Sequence, residues 1–369
     1  MTSQPVTVEE LRRFAVARSL FAPCALTKAV KQLGYLQADP IRAPARAQDL
    51  ILRHRVSNYR ADDLEKKYAG LPLIEDSIYN YGFFHRDELT LLHPRTLSVR
   101  WRDFMTEHAS LRRQVLRYLK EHEEAHPREL EKSLAGGKRV NGWGGSSSAT
   151  TLMLEGLHRE GKVQVRRRES GIRVYTPVAT PERALAPSAR ADGLIRLMIN
   201  LYAPLPLRTL SQLMRVMNAS RPGVDYAKRF ELMVKRGEQR CEKIDHITYV
   251  WPAAESLPEN ANDTVRLLAP FDPIVWDRSR FEHLWGWPYR FEAYTPLAKR
   301  KLGYYALPLL WRNQVIGWGN VESGTQRGMV RLNVQIGYAT GKPARADVPI
   351  FKRELEAEIE RLRLFLAAR

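Results

Sequence analysis

The chain of 369 residues is poor in cysteine: Cys24 and Cys241 stand alone and far apart. Two isolated thiols make no disulfide framework and no metal-ligand spacing, so neither a cross-linked secreted scaffold nor a bound metal is expected. Long apolar runs are lacking too, since none approaches the ~20 residues needed to span a bilayer. The opening MTSQPVTVEELRRF has no apolar core of the kind that secretion signals carry. These shortages predict a cytoplasmic protein with no membrane partner. Acidic residues are scarce beside basic ones, 41 Asp and Glu against 59 Lys and Arg, and the formal net charge is +18. The imbalance is sharp in residues 1–60, where ten basic side chains face four acidic ones. A surface of that sign attracts polyanions and points to nucleic acid. Apolar content of 44% is enough for a packed core, and the length suits two to four domains.

Taken in order, residues 8–20 have helical spacing, with Thr7 as N-cap and Glu10 as its capping-box partner. A second helix over 25–33 stops at Gly34, a short strand follows at 36–39, and a third helix spans 43–54. Residues 60–109 read as helical pieces and turns. His85 and His93 lie there among Phe83, Phe84, Leu89 and Leu91, with no third ligand at metal spacing. Helices at 111–124, 127–134 and 148–160 are followed by a hairpin at 163–175 with a Ser-Gly turn. The glycines of 136–145 lack the Walker spacing and read as a turn between helices. After a Pro/Ala-rich linker, helices at 192–202, 207–214 and 226–235 again precede a β-ribbon, at 240–251. Strands at 265–268, 304–311, 315–318 and 330–336 and a closing helix at 349–368 complete the chain. The aromatics between 276 and 294 read as the core of that last part. The expected fold is α+β: winged-helix units at 1–109, 110–178 and 190–252, then a small β-barrel-like domain at 264–369 with a terminal helix.

Chemistry concentrates in GYLQADPIRAPARAQDLILRHR, residues 34–55. Strand alternation places residues i and i+2 on one face, so the Gln37 amide and the Asp39 carboxylate are expected to point the same way. A plainer structural reading makes Asp39 the N-cap of a helix with Pro40 in its first turn. Arg42, Arg46, Arg53 and Arg55 supply positive charge behind the pair. Arg166, Arg167 and Arg168 of the hairpin, and Lys299, Arg300 and Lys301 near the C-terminal strands, are expected to add phosphate contacts.

Residues 34–55, together with RFEAYTPLAKRKLGYYALPLLW at 290–311, resemble the YcaQ/AlkZ family of winged-helix bacterial DNA glycosylases, which excise alkylated bases and unhook interstrand crosslinks. The likeness covers most of the chain. It implies that Gln37 and Asp39 form the family's Gln-x-Asp catalytic pair, although Ala38 is smaller than the usual bulky aliphatic between them. Residues 78–95 match the family only loosely, so His85 stays outside the catalytic set. In this reading Asp39 steadies a sugar losing its alkylated purine and takes a proton from the attacking water, which Gln37 positions. The motif holds no lysine for a Schiff base, so a monofunctional enzyme is implied, with no cofactor or metal. Its partner is double-stranded DNA with alkylated or crosslinked bases, bound by a monomer, because three winged-helix units in one chain can surround a duplex and no heptad seam is present. The competing reading is a non-enzymatic winged-helix regulator or damage sensor.

Overall fold

The computed structural model describes residues 6–134, 138–140, 146–169, 171–178, 185–256, 263–326 and 329–367. The fold is α+β, with several small sheets and a curled four-stranded one. The chain packs into two compact units. The first takes Met1–Leu64, Ile195–Gln212 and Phe230–Arg369, and the second Glu65–Leu194 and Leu213–Arg229. Neither is one continuous segment, so chain order and compact packing divide the molecule differently.

The first unit begins with helix Val8–Ser19, where Thr7 and Glu10 form the expected capping box: Glu10 N–H donates to Thr7 Oγ1 at 3.2 Å and Thr7 N–H to Glu10 Oε2 at 2.7 Å. Helix Leu26–Leu33 ends at Gly34, whose φ of 75° is costly for any residue with a Cβ, and Leu197 fills the space beside it. Strand Tyr35–Gln37 follows, then an irregular loop, and helix Ala47–Leu52 buries all six of its residues. The strand therefore ends before Asp39, and the third helix starts four residues later than the sequence pattern predicts.

In the C-terminal part of this unit, Val265–Leu267, Leu307–Trp311, Gln314–Gln326 and Met329–Tyr338 form an antiparallel sheet in chain order. A register shift at Leu309/Leu310 bends it, and its first and last strands are not paired with each other, so the sheet is half-closed and is not a finished barrel. Trp318 lies opposite Gly337 in the register, and a Cβ there would collide with the indole. The closing helix Val348–Leu366 turns Phe351, Glu358, Leu362 and Phe365 inward at helical spacing. The aromatic run is core as expected, with Phe281, Trp285, Trp287 and Tyr289 buried, but Tyr294 is 78% exposed.

The second unit contains an element that sequence periodicity does not reveal, the hairpin Leu73–Ser77/Tyr81–His85. Both Glu75 and Asp76 on its first strand are buried. Each has basic partners: Arg168 reaches Glu75 at 2.8 Å, while Arg95 and His93 reach Asp76 at 2.9 and 2.7 Å. Burial alone would raise Asp76, but Arg95 and His93 outweigh it and hold the carboxyl well below its ordinary range. Helices Val99–Glu107, Ala109–His122, Pro127–Ser133 and Ala149–Glu160 precede the expected hairpin Val163–Glu169/Ile172–Pro177. Ser148 caps the last helix and Gly161, at φ 78°, ends it. This helix is enclosed on nearly every side: eight of its twelve residues are buried, and Gly156 lets Met105 and Trp101 approach closely. The five glycines of 136–145 all lie outside the described residues.

Asp49, at the heart of helix Ala47–Leu52, accepts from Tyr59 Oη at 2.6 Å. Burial raises its pKa to about 6, more than the Tyr59 hydrogen bond lowers it. The folded state thus keeps this proton at pH values where the unfolded chain has lost it. Its contribution to stability is full below the ordinary 3.8 and is lost as the pH rises to about 6. Asp49→Asn keeps an acceptor for Tyr59 and removes the titration. Relative to wild type it should gain on the order of 2–3 kcal/mol between pH 4 and pH 7 in urea unfolding, and an unchanged difference across that range would refute the assignment.

Candidate active site

Gln37 closes its strand as a buried residue, 7% exposed, and among the described residues its Oε1 is buried without a hydrogen-bond partner. A buried amide oxygen left this way is costly, and such atoms in native proteins repeatedly mark functional positions. Asp39 sits two residues on, half-buried, in the loop. Its N–H donates to the buried Gln48 Oε1 at 3.1 Å, which fixes the backbone, and its Oδ1 accepts from Ile41 N–H at 2.9 Å. That contact is an Asx turn and not a helix cap, because no helix starts before Ala47. Among the described residues no donor is paired with Oδ2. Burial raises the Asp39 carboxyl above its ordinary pKa, and the Ile41 N–H offsets part of the rise.

Two tyrosines that the sequence reading left out complete the surroundings. Burial holds the Tyr305 phenol well above its usual range, and the next contribution is the negative charge of Asp39. Burial and then Asp39 also raise Tyr294. Both rings therefore lie within electrostatic reach of the carboxylate. Tyr305 Oη is itself buried with no partner. The loop that presents these rings is pinned by Glu292, which accepts backbone N–H groups from Lys301 at 2.9 Å, Leu302 at 2.8 Å and Gly303 at 3.3 Å. Asn320 adds a hydrogen bond to Leu302 O at 2.7 Å. Residues 34–55 and 290–311, distant in sequence, thus meet at Asp39.

The chain matches the model of the DNA glycosylase AlkZ-like family over residues 30–365. It belongs to that family. The match contains both stretches, and AlkZ-like membership supports DNA as the partner.

The basic residues expected to hold that DNA fall into two groups. Arg42 is exposed, paired with Asp62 at 2.9 Å. Arg46 is half-buried and within electrostatic reach of Asp49. Arg166 and Arg167 are exposed on their hairpin, and Lys299 and Lys301 are exposed as well. Arg300 is partly buried, donating to Thr295 O at 2.8 Å and lying 5.0 Å from the Tyr304 ring centroid. The others are corrected by the structure. Arg55 is fully buried, donating to both oxygens of Asp272 at 2.8 and 3.0 Å and to the Ser19 and Ile51 carbonyls. Arg53 is buried against Glu358 at 2.5 Å, and Arg168 is directed inward to Glu75. These three guanidiniums are consumed by carboxylates of the same chain and cannot reach a phosphate.

Removing one partner of a buried ion pair strands the other. Arg55→Ala should therefore destabilise the fold by about 3–5 kcal/mol, read as a lower urea midpoint. A midpoint within experimental scatter of wild type would show that Asp272 finds another partner.

Proposed function

We propose that this AlkZ-like protein is a monofunctional DNA glycosylase that hydrolyses the N-glycosidic bond of N7-alkylpurines and also acts on interstrand crosslinks. The observation that carries the reading is the pairing, inside a family-matched chain, of a half-buried carboxylate whose Oδ2 is unpaired with a buried, unpartnered amide oxygen two residues away. An N7-alkylated purine is cationic and leaves readily, so the demand falls on the sugar. As the bond to the base breaks, C1′ gains oxocarbenium character, and the ionised Asp39 carboxylate stabilises it. Asp39 then accepts a proton from water, while Gln37 Oε1 accepts a hydrogen bond that orients that water toward C1′. The products are the free base and an abasic site in an uncut strand.

The helix and hairpin runs at 1–109, 110–178 and 190–252 serve in this reading as three winged-helix units, with 264–369 as a barrel-related domain. Arg42, Arg46, Arg166, Arg167, Lys299, Arg300 and Lys301 supply sequence-independent phosphate contacts for a monomer on duplex DNA. A transcription regulator would need an exposed recognition helix for the major groove. Enclosure of Ala149–Glu160 removes that helix from the role and leaves Tyr226–Lys235, with Ala227, Lys228, Glu231 and Lys235 exposed, as the helix such a regulator would use.

Duplex DNA carrying N7-methylguanine should yield alkali-labile abasic sites with the wild-type protein. Asp39→Asn should lower the single-turnover rate by on the order of 10²–10⁴-fold, with binding to lesion DNA retained. Because the active form is the carboxylate, kcat/KM should fall as the pH drops through the Asp39 pKa, and burial puts that acid limb above 3.8. Full base release by Asp39→Asn, or no release by wild type from any N7-alkylated duplex, defeats the proposal.

A further inference from the structure

The second unit holds a cavity of about 650 Å³ remote in sequence from Gln37 and Asp39, and four arginines line it: Arg95, Arg100, Arg159 and Arg173. Glu155 is the only carboxylate in the lining, and Ser77, Thr96, Ser98 and Ser220 add hydroxyls. The size lies within the range of about 300–1,000 Å³ usual for small-molecule sites.

The arginines are not all satisfied by the protein. Arg95, its side chain 7% exposed, donates through Nη1 to Asp76 and Ser77 and through Nε to Arg159 O, yet its Nη2 is buried with no acceptor. Arg173 Nε is buried without a hydrogen bond, 3.6 Å from Glu75, a carboxylate already held by Arg168 and Tyr81. Beside the cavity, Arg221 donates to Ser220 Oγ at 2.8 Å and leaves its own Nη2 buried and unpartnered. Burial, and after it the charge of Arg95, pushes Arg221 down to about 10. Among the described residues Arg95 in the lining and Arg221 next to it keep buried N–H groups without an acceptor, and Arg173 Nε has only Glu75 at 3.6 Å, so the region can take an acceptor of high charge density such as a phosphate. Trp101 lies in the same lining, 5.2 Å from the Arg159 guanidinium, so a flat ring and a cationic edge stand together.

We infer that this cavity binds the phosphate group of a nucleotide, with Arg95 and Arg173 as fixed donors and Arg100 and Arg159 as exposed ones. The phosphate belongs either to a free mononucleotide or to the DNA backbone, and the two sources separate in experiment. The variant Arg100→Gln/Arg159→Gln changes exposed side chains only and leaves the buried Glu75 and Asp76 pairs in place, so folding can be checked by its urea midpoint.

Titration calorimetry with dGMP, inorganic phosphate and deoxyguanosine tests the site on the full chain. A free-nucleotide site gives saturable heat with dGMP, weaker heat with phosphate and none with deoxyguanosine, and binding at least tenfold weaker in the double variant. A backbone site instead lowers the slope of log K against log salt for undamaged duplex by about 2 in the double variant. Base release is a separate readout, so failure of the glycosylase reading leaves this test intact. If dGMP gives no saturable heat with wild type and the salt slope does not move in the variant, the cavity is only solvated and the inference falls.

Discussion

The ion pair between Arg55 and Asp272 joins residues 217 positions apart and ties the segment that carries Gln37 and Asp39 to the C-terminal part. Arg55 spends its donors on both Asp272 oxygens, Ser19 O and Ile51 O, so one guanidinium fastens the end of the first helix, the end of the third and the start of the C-terminal part. Two residues earlier, Arg53 reaches Glu358 on the closing helix, and Glu358 also accepts from Leu267 N–H at 2.9 Å. Desolvating such pairs costs roughly what their attraction returns, so their net contribution to stability is small. Their value lies in selection. An apolar replacement would tolerate a shifted register, whereas a bidentate pair holds one geometry.

The same physics separates the carboxylates of the molecule into committed and available ones. Asp76 is buried, but Arg95 and His93 more than offset its desolvation, so it is a fixed anion with no reason to react. Asp39 receives a single backbone N–H, too little to cancel its partial burial, and its pKa rises. A carboxylate that is less stabilised by the fold has more to gain from a cation arriving beside it. An incipient oxocarbenium is such a cation, so Asp39 suits the proposed chemistry better than the more deeply held Asp76.

Local signals in the sequence translated well. Thr7 with Glu10, Gly34 and Gly161 as stops, and the apolar stripe of the last helix all depend on neighbours within a few positions. What stayed hidden depended on partners far away. The hairpin Leu73–Ser77/Tyr81–His85 carries adjacent acids, and alternation rules read an acid as facing solvent; Glu75 is buried because Arg168 and Arg173 arrive almost a hundred residues later. Arg53 and Arg55 misled in the mirror sense, read as surface charge when Glu358 and Asp272 were waiting inside. Tyr294 and Tyr305 lay within a stretch already singled out for its family likeness, but nothing local told a core aromatic from one facing a carboxylate.

Enclosure of the Ala149–Glu160 helix bears on how DNA could be read at all. A helix with eight of twelve residues buried has no face to lay along base edges, so this helix does not read sequence. The exposed cations that remain, such as Arg42, Arg166 and Arg167, suit phosphates, which carry no sequence information. For the glycosylase proposed above, which would have to find a lesion in any context, such a loss would be no handicap. In that proposal discrimination would rest on the lesion's own chemistry: a base already bearing positive charge leaves more easily, and a poorly stabilised carboxylate favours the transition state that follows.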